Sequence, residues 1–143
     1  MSILVNFKNY TNYRTNLMDV PGIHTINYDD RECCNYQYVI IEVDEAVTGI
    51  SRDDMVSVLH AENVLARRYF FPGCHEMEPY RSFFPHAGLL LPETKRLSQR
   101  VMSLPTGTAL GQKEIDAICN IIKLAVTKSH DLLPMLDSIR VNQ

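Results

Sequence analysis

Apolar residues recur along this chain at two periods, and the changes of period mark its elements. Phe7, Tyr10, Arg14 and Leu17 share one helical face with Tyr13 beside them, which predicts an amphipathic helix over residues 3–18. Asp19 to Gly22 (DVPG) ends it with turn chemistry. Residues 23–27 suit a short strand, followed by a polar loop over 29–32. Residues 36–43 (YQYVIIEV) form the clearest strand, aromatic or β-branched apart from Gln37 and Glu42. So continuous a run fits an interior strand covered on both faces. Ser51 opens a second helix with Asp54 three positions on, a weak form of the capping box. Met55, Val58 and Leu59 are its predicted buried stripe, and Glu62 and Asn63 its exit.

Residues 65–70 resume as a strand, so Arg67 and Arg68 project to opposite faces. Residues 71–92 hold Pro72, Gly73, Pro79, Pro85, Gly88 and Pro92. A loop of that length inside a compact domain is usually functional or lid-like. Pro92 suits the first turn of a helix running to about Arg100, and residues 101–104 read as another short strand. Ile115, Ile118, Cys119, Ile122, Ala125 and Val126 keep the helical spacing best of all. The tail from Ser129 to Gln143, with Leu132, Leu133, Met135, Leu136 and Ile139, suits a last helix starting after Pro134. The sum is an α/β (α+β) chain: a small mixed or antiparallel sheet with helices packed on it.

Composition changes this picture by exclusion. A length of 143 residues fits a single domain over 1–143, large enough to bury roughly 70% of its unfolded surface. Net charge is −3, so no basic field exists to neutralise a nucleic-acid backbone. No apolar run approaches the roughly 18 residues of a membrane span. The start (MSILVNFK) lacks a secretory pattern, and cytoplasmic placement is the expectation. Cys33, Cys34, Cys74 and Cys119 are too few and scattered for a disulfide framework and read as free thiols.

Candidate chemistry concentrates in residues 60–82, which hold three arginines, two histidines and two tyrosines around a proline-punctuated loop. Guanidinium forks match phosphate oxygens, although strand alternation lets at most one of Arg67 and Arg68 serve a ligand. His75 offers an imidazole able to donate to a hydroxyl or phosphate. Against these stand ordinary roles: an arginine paired with Asp or Glu, a histidine bonded to a loop carbonyl, a tyrosine packed under the loop. Tyr80 and Arg81 are weaker candidates. Cys74, His75 and Glu76 are adjacent and lack zinc-site spacing, so no metal is expected. Cys74 with His86 lacks an orienting third group. Phe70, Phe71, Phe83, Phe84 and the Leu89–Leu91 run suit packing surface, and Glu42, Asp44 and Glu45 a solvated strand end. No catalytic residue is assigned.

With the elements placed, Arg67 through His75 (RRYFFPGCH) followed by Met77 to Tyr80 (MEPY) resembles the C-terminal domain of DegT/StrS-type sugar aminotransferases. Leu97 to Pro105 (LSQRVMSLP) is similar to that family's helix-then-strand segment, and Gln112 to Leu124 to its closing helix. Tyr13 to Gly22 resembles the helix and Pro-Gly turn that begin its small domain. The likeness covers about residues 7–127 and leaves the tail 128–143 unmatched. It implies the small C-terminal domain of a fold-type I enzyme that uses pyridoxal phosphate to aminate nucleotide-linked keto sugars, as a homodimer. It also implies a partner: an N-terminal large domain, or a separate cofactor-binding subunit, carrying the Schiff-base lysine.

Lys8, Lys95, Lys113, Lys123 and Lys128 all sit in predicted helices or helix starts without that lysine's setting. A Schiff-base lysine also needs desolvation or a cationic neighbour. The resemblance therefore implies one wall of a nucleotide-sugar cleft, built from Arg68, Tyr69 and His75 with Arg67 and Tyr80 beside them. The chain alone is expected to be inactive and to bind no cofactor. Two rivals remain: a stand-alone module binding nucleotide sugars or a protein partner without catalysis, and a structural or regulatory domain sharing only the architecture.

Overall fold

The computed structural model describes residues 2–141. Helix α1 (Ile3–Leu17) turns a partly polar face inward: Asn6, Asn9, Tyr10, Tyr13 and Leu17 are buried. Phe7 is instead 47% exposed, and Arg14 faces solvent. The rotation follows from bonds to distant backbone. Asn6 Nδ2 donates to the Asn35 carbonyl (3.1 Å), Asn9 Nδ2 to that of Gly107 (3.0 Å), and the Tyr13 hydroxyl to that of Pro105 (2.9 Å). These bonds offset the cost of burying the polar groups. Phe7 packs at the surface, edge-on to Tyr36 with ring centroids 5.0 Å apart.

Four strands, β1 (Ile23–Thr25), β2 (Val39–Val43), β3 (Arg67–Arg68) and β4 (Val101–Leu104), form one sheet in the order β1-β2-β4-β3. Every neighbouring pair is antiparallel, which resolves the expected mixed or antiparallel sheet. β2 lies inside the sheet as predicted but begins at Val39, because Tyr36 takes a left-handed backbone with φ of 50°. Its sides also differ. Val39, Ile41 and Val43 are buried, whereas Ile40 and Glu42 are only half-buried. β3 is shorter than its predicted run, ending before Phe70, whose φ is 46°.

Helices α1, α3 (Arg52–Ala61) and α7 (Gln112–Thr127) cover the sheet face of Val39 and Ile41. Ser51 caps α3 as predicted, its hydroxyl accepting from the Asp54 N–H (3.1 Å). The inward face of α3 is Met55, Val56 and Leu59, with Val58 only partly buried. The α7 stripe matches its spacing: Ile115, Ile118, Cys119, Ile122 and Ala125 are buried. A one-turn helix, α2 (Glu45–Thr48), stands where a solvated strand end was expected. Asp44 is its N-cap, accepting from the Ala46 N–H (3.3 Å), and Gly49 closes it with φ of 69°. Glu42 is not free either, lying 3.2 Å from Arg96 and 3.6 Å from Arg100.

The expected loop over 71–92 is an arm of short turns: a 3-10 turn at Cys74–Glu76, then α4 (Tyr80–Phe83), α5 (Ala87–Leu90) and α6 (Pro92–Ser98). Pro92 opens α6 as predicted, and the helix stops two residues before Arg100. Helix α8 (Ser129–Val141) contains Pro134 instead of starting after it. Its first residue, Ser129, is buried. Asn142 and Gln143 lie outside the described residues.

Candidate functional site

Strand alternation gives the sheet a second face, carrying Tyr38 and Ile40 of the β2 run and Val101 of β4. The arm crosses this face at a distance and leaves an open groove of about 1040 Å³ between arm and sheet. Tyr69, His75 and Tyr80, all sequence candidates, line it together with Tyr28, Tyr38 and Phe84. Arg67, Arg68 and Arg81 do not line it.

His75 has the most constrained position. Its side chain is 8% exposed, and Nε2 stands 3.7 Å from Glu76 Oε1, beyond hydrogen-bond reach. That nitrogen is buried without a hydrogen-bond partner. The ring lies against Gly73, where an added Cβ would stand 2.7 Å from Cε1, and within ordinary contact of Gly88. Two glycines thus leave the slot the imidazole fills. Tyr69 follows the two residues of β3, and its ring tilts against Phe70 (4.2 Å between centroids) and Tyr38 (5.6 Å). The three rings form a small aromatic cluster. Tyr80 is the first residue of α4 and half-open to solvent.

The Tyr28 hydroxyl donates to the Tyr38 carbonyl (2.7 Å). Burial pushes its phenol above the ordinary value. It therefore stays protonated at neutral pH. The groove is mostly apolar with a few convergent polar tips, the usual make-up of a small-molecule site.

The arginines are placed differently. Arg68 sits opposite Met102 in the register, on the helix-covered face. There its Nε meets Asp53 Oδ1 (3.1 Å) and its guanidinium lies 5.2 Å from the Phe71 ring centre. Arg67, opposite Ser103, is exposed on the other face. The two do project to opposite sides. Arg81 pairs with Glu78 at 2.8 Å, away from the groove. Sequence reasoning missed Tyr28 and Tyr38. The signal for Tyr38 was its alternation with Val39 and Ile41, hidden by reading the run as continuous.

None of the five lysines lines the groove. Lys8, Lys95, Lys113 and Lys128 are exposed and Lys123 is half-buried on α7. The residues present therefore do not fit a carbonyl-capturing site for pyridoxal phosphate.

Fold and groove together define a small antiparallel α/β unit with a mostly apolar groove on one side of its sheet. The chain belongs to the DegT/DnrJ/EryC1/StrS aminotransferase family, whose model matches residues 3–123. It is 29% identical over 110 residues to dTDP-4-amino-4,6-dideoxy-D-glucose transaminase of Escherichia coli, covering 77% of this chain and 29% of that protein. Among solved structures, DesI determined in the presence of its TDP-sugar product is 47% identical with a TM-score of 0.85, covering 94% of this chain and 34% of DesI. DesV of S. venezuelae, in complex with a ketimine intermediate, shares the fold with a TM-score of 0.75 at 18% identity, over 87% of this chain and 32% of that one. The chain thus spans about a third of the length of the relatives it matches.

Proposed function

We propose that this chain, as one domain, is the small C-terminal domain of a pyridoxal-phosphate aminotransferase acting on nucleotide-linked keto sugars. Its aromatic groove would form one wall of the substrate cleft. The observation that carries this reading is the His75 imidazole, seated between two glycines with an unpartnered nitrogen beside Tyr69 and Tyr80. The identity with DesI supports a nucleotide-sugar ligand.

The cofactor, when bound, supplies the electronic chemistry of amino transfer. Its lysine and the rest of its site belong to a large domain or separate subunit, and the working enzyme is a cytoplasmic homodimer. On this chain His75 donates to a sugar hydroxyl or phosphate oxygen, and Tyr69 and Tyr80 hold the sugar-nucleotide against the sheet. The exposed Arg67 reaches phosphate from the edge of β3, on the face opposite to Arg68.

His75→Ala in the full-length enzyme is expected to lower kcat/KM for the sugar substrate by roughly tenfold to a hundredfold. Cofactor absorbance should be retained. Unchanged turnover removes His75 from the site. Incubated with pyridoxal phosphate, the isolated chain should give no saturable band that borohydride abolishes. Such a band would place the carbonyl-capturing lysine within these residues and end the proposal.

A further inference from the structure

The arm that roofs the groove leaves the sheet at Phe71 and returns to it between Ser98 and Val101, and one buried side chain touches both places. Arg52, in the first turn of α3, is 1% exposed along its side chain. Its Nη1 donates to the carbonyls of Ser98 (2.9 Å) and Val101 (2.6 Å), where the arm re-enters. Its guanidinium carbon stands 5.3 Å from the Phe71 ring centre, where the arm departs. Arg68 approaches the same ring at 5.2 Å. One carboxylate oxygen, Asp53 Oδ1, binds both arginines, 2.6 Å from Arg52 Nε and 3.1 Å from Arg68 Nε.

A buried guanidinium is costly unless its donors are used. Here Nη1 is used at the returning end of the arm and Nε on Asp53, while the guanidinium also lies over the Phe71 ring at the departing end. Carbonyl bonds to a charged donor and cation–π contact with an aromatic face are each among the stronger interactions of their kind. None of Arg52, Asp53, Arg68 and Phe71 lines the groove.

We propose that Arg52 is a positioning residue that staples both roots of the arm to the sheet and so fixes the outer wall of the groove, His75 included. Asp53 orients it, and Arg68 holds Phe71 from its own strand. The consequence for turnover rests on the function proposed above; the staple itself does not.

Hydrogen exchange by mass spectrometry over residues 72–98 of the full-length enzyme separates the two. Arg52→Met is expected to speed exchange there by about tenfold, as the arm opens locally more often. Leu59→Ala, a fully buried change on the same helix, should lower overall stability without that selective effect. Phe71→Leu, at a ring 41% exposed, should also loosen the arm, and keeps the test decisive if Arg52→Met does not fold. Exchange in the arm no faster in Arg52→Met or Phe71→Leu than in Leu59→Ala overturns the staple. With the staple upheld, Arg52→Met should raise KM for the nucleotide sugar several-fold while kcat changes by less than about threefold. A loosened arm with unchanged KM leaves the staple standing and removes the groove from the substrate cleft.

Discussion

At the scale of single residues, Gly73 decides more than its size suggests. Its backbone, with φ of −60° and ψ of 155°, is one any residue adopts. The close approach of the His75 ring is therefore what requires glycine. Gly73→Ala should leave the melting temperature nearly unchanged while displacing the imidazole. Turnover of the full-length enzyme should fall about as far as in His75→Ala. Wild-type turnover in Gly73→Ala would show that the seating of the ring is immaterial. The candidacy of His75 was legible from the sequence, because a histidine at the end of a proline-rich loop matched a family pattern. The reason for Gly73 was not, since it depends on a ring two residues away folding back onto it. Arg68 shows the reverse case: its type suggested phosphate, and only the register reveals Asp53 and Phe71 as its partners.

Among the elements, α7 was the most legible because an unbroken apolar period admits one buried face. α1 was placed almost to the residue, with Tyr10, Tyr13 and Leu17 buried as their spacing predicts, but its inner face is shifted away from Phe7 and Arg14 towards Asn6 and Asn9. Periodicity counts Phe7 as inward, and it has no view of the carbonyls at residues 35 and 107 that accept from the Asn6 and Asn9 amides. The tail shows how far a proline rule reaches. Pro134 removes one backbone donor from α8 and clashes with the preceding turn, at a cost of up to about 3 kcal/mol. The helix nonetheless begins before it, with Ser129 buried and Leu132 packed on the core. Pro134→Ala should therefore deepen the far-ultraviolet helix signal at 222 nm. An unchanged or weaker signal would mean that the helix does not run through this position in solution.

For the whole molecule, two acidic groups in the interior set a limit on alkaline stability. Burial pushes the Cys119 thiol up to about 12, with nearby Lys123 opposing and Asp116 adding. Burial also drives the Tyr13 phenol far above its ordinary 10.0, with Cys119 as a lesser cause. Both raised values act in one direction. Above the unfolded thiol's value near 9.0 the unfolded chain loses protons that the folded chain keeps, so stability falls as pH rises through this window. The urea midpoint should be flat from about pH 7 to 8.5 and decline from about 9 to 11. Cys119→Ala should lessen the decline over the lower part of that range. A midpoint flat to pH 11 would mean these groups are not buried as described.

The arm presents a second whole-molecule property, apolar side chains open to solvent: Leu90 is 82% exposed, and Leu89 and Phe83 are exposed as well. A patch of this kind promotes association. The isolated chain should sediment as more than a monomer at concentrations of about 0.1 mM. A strictly monomeric species would favour a domain evolved to stand alone.

By itself the sequence determined the order of the four strands and of the longer helices, the inward face of α7, and the family to which the loop around His75 belongs. Each is written in neighbouring residues, as a period, a cap or a local pattern. Only the tertiary structure decided which way α1 faces, which side of β2 stays open, and that the long loop is an arm held at both roots over a groove. Those outcomes depend on bonds and contacts between residues tens of positions apart. Local periodicity cannot encode such pairings, because they come into being only when the sheet register brings the partners together.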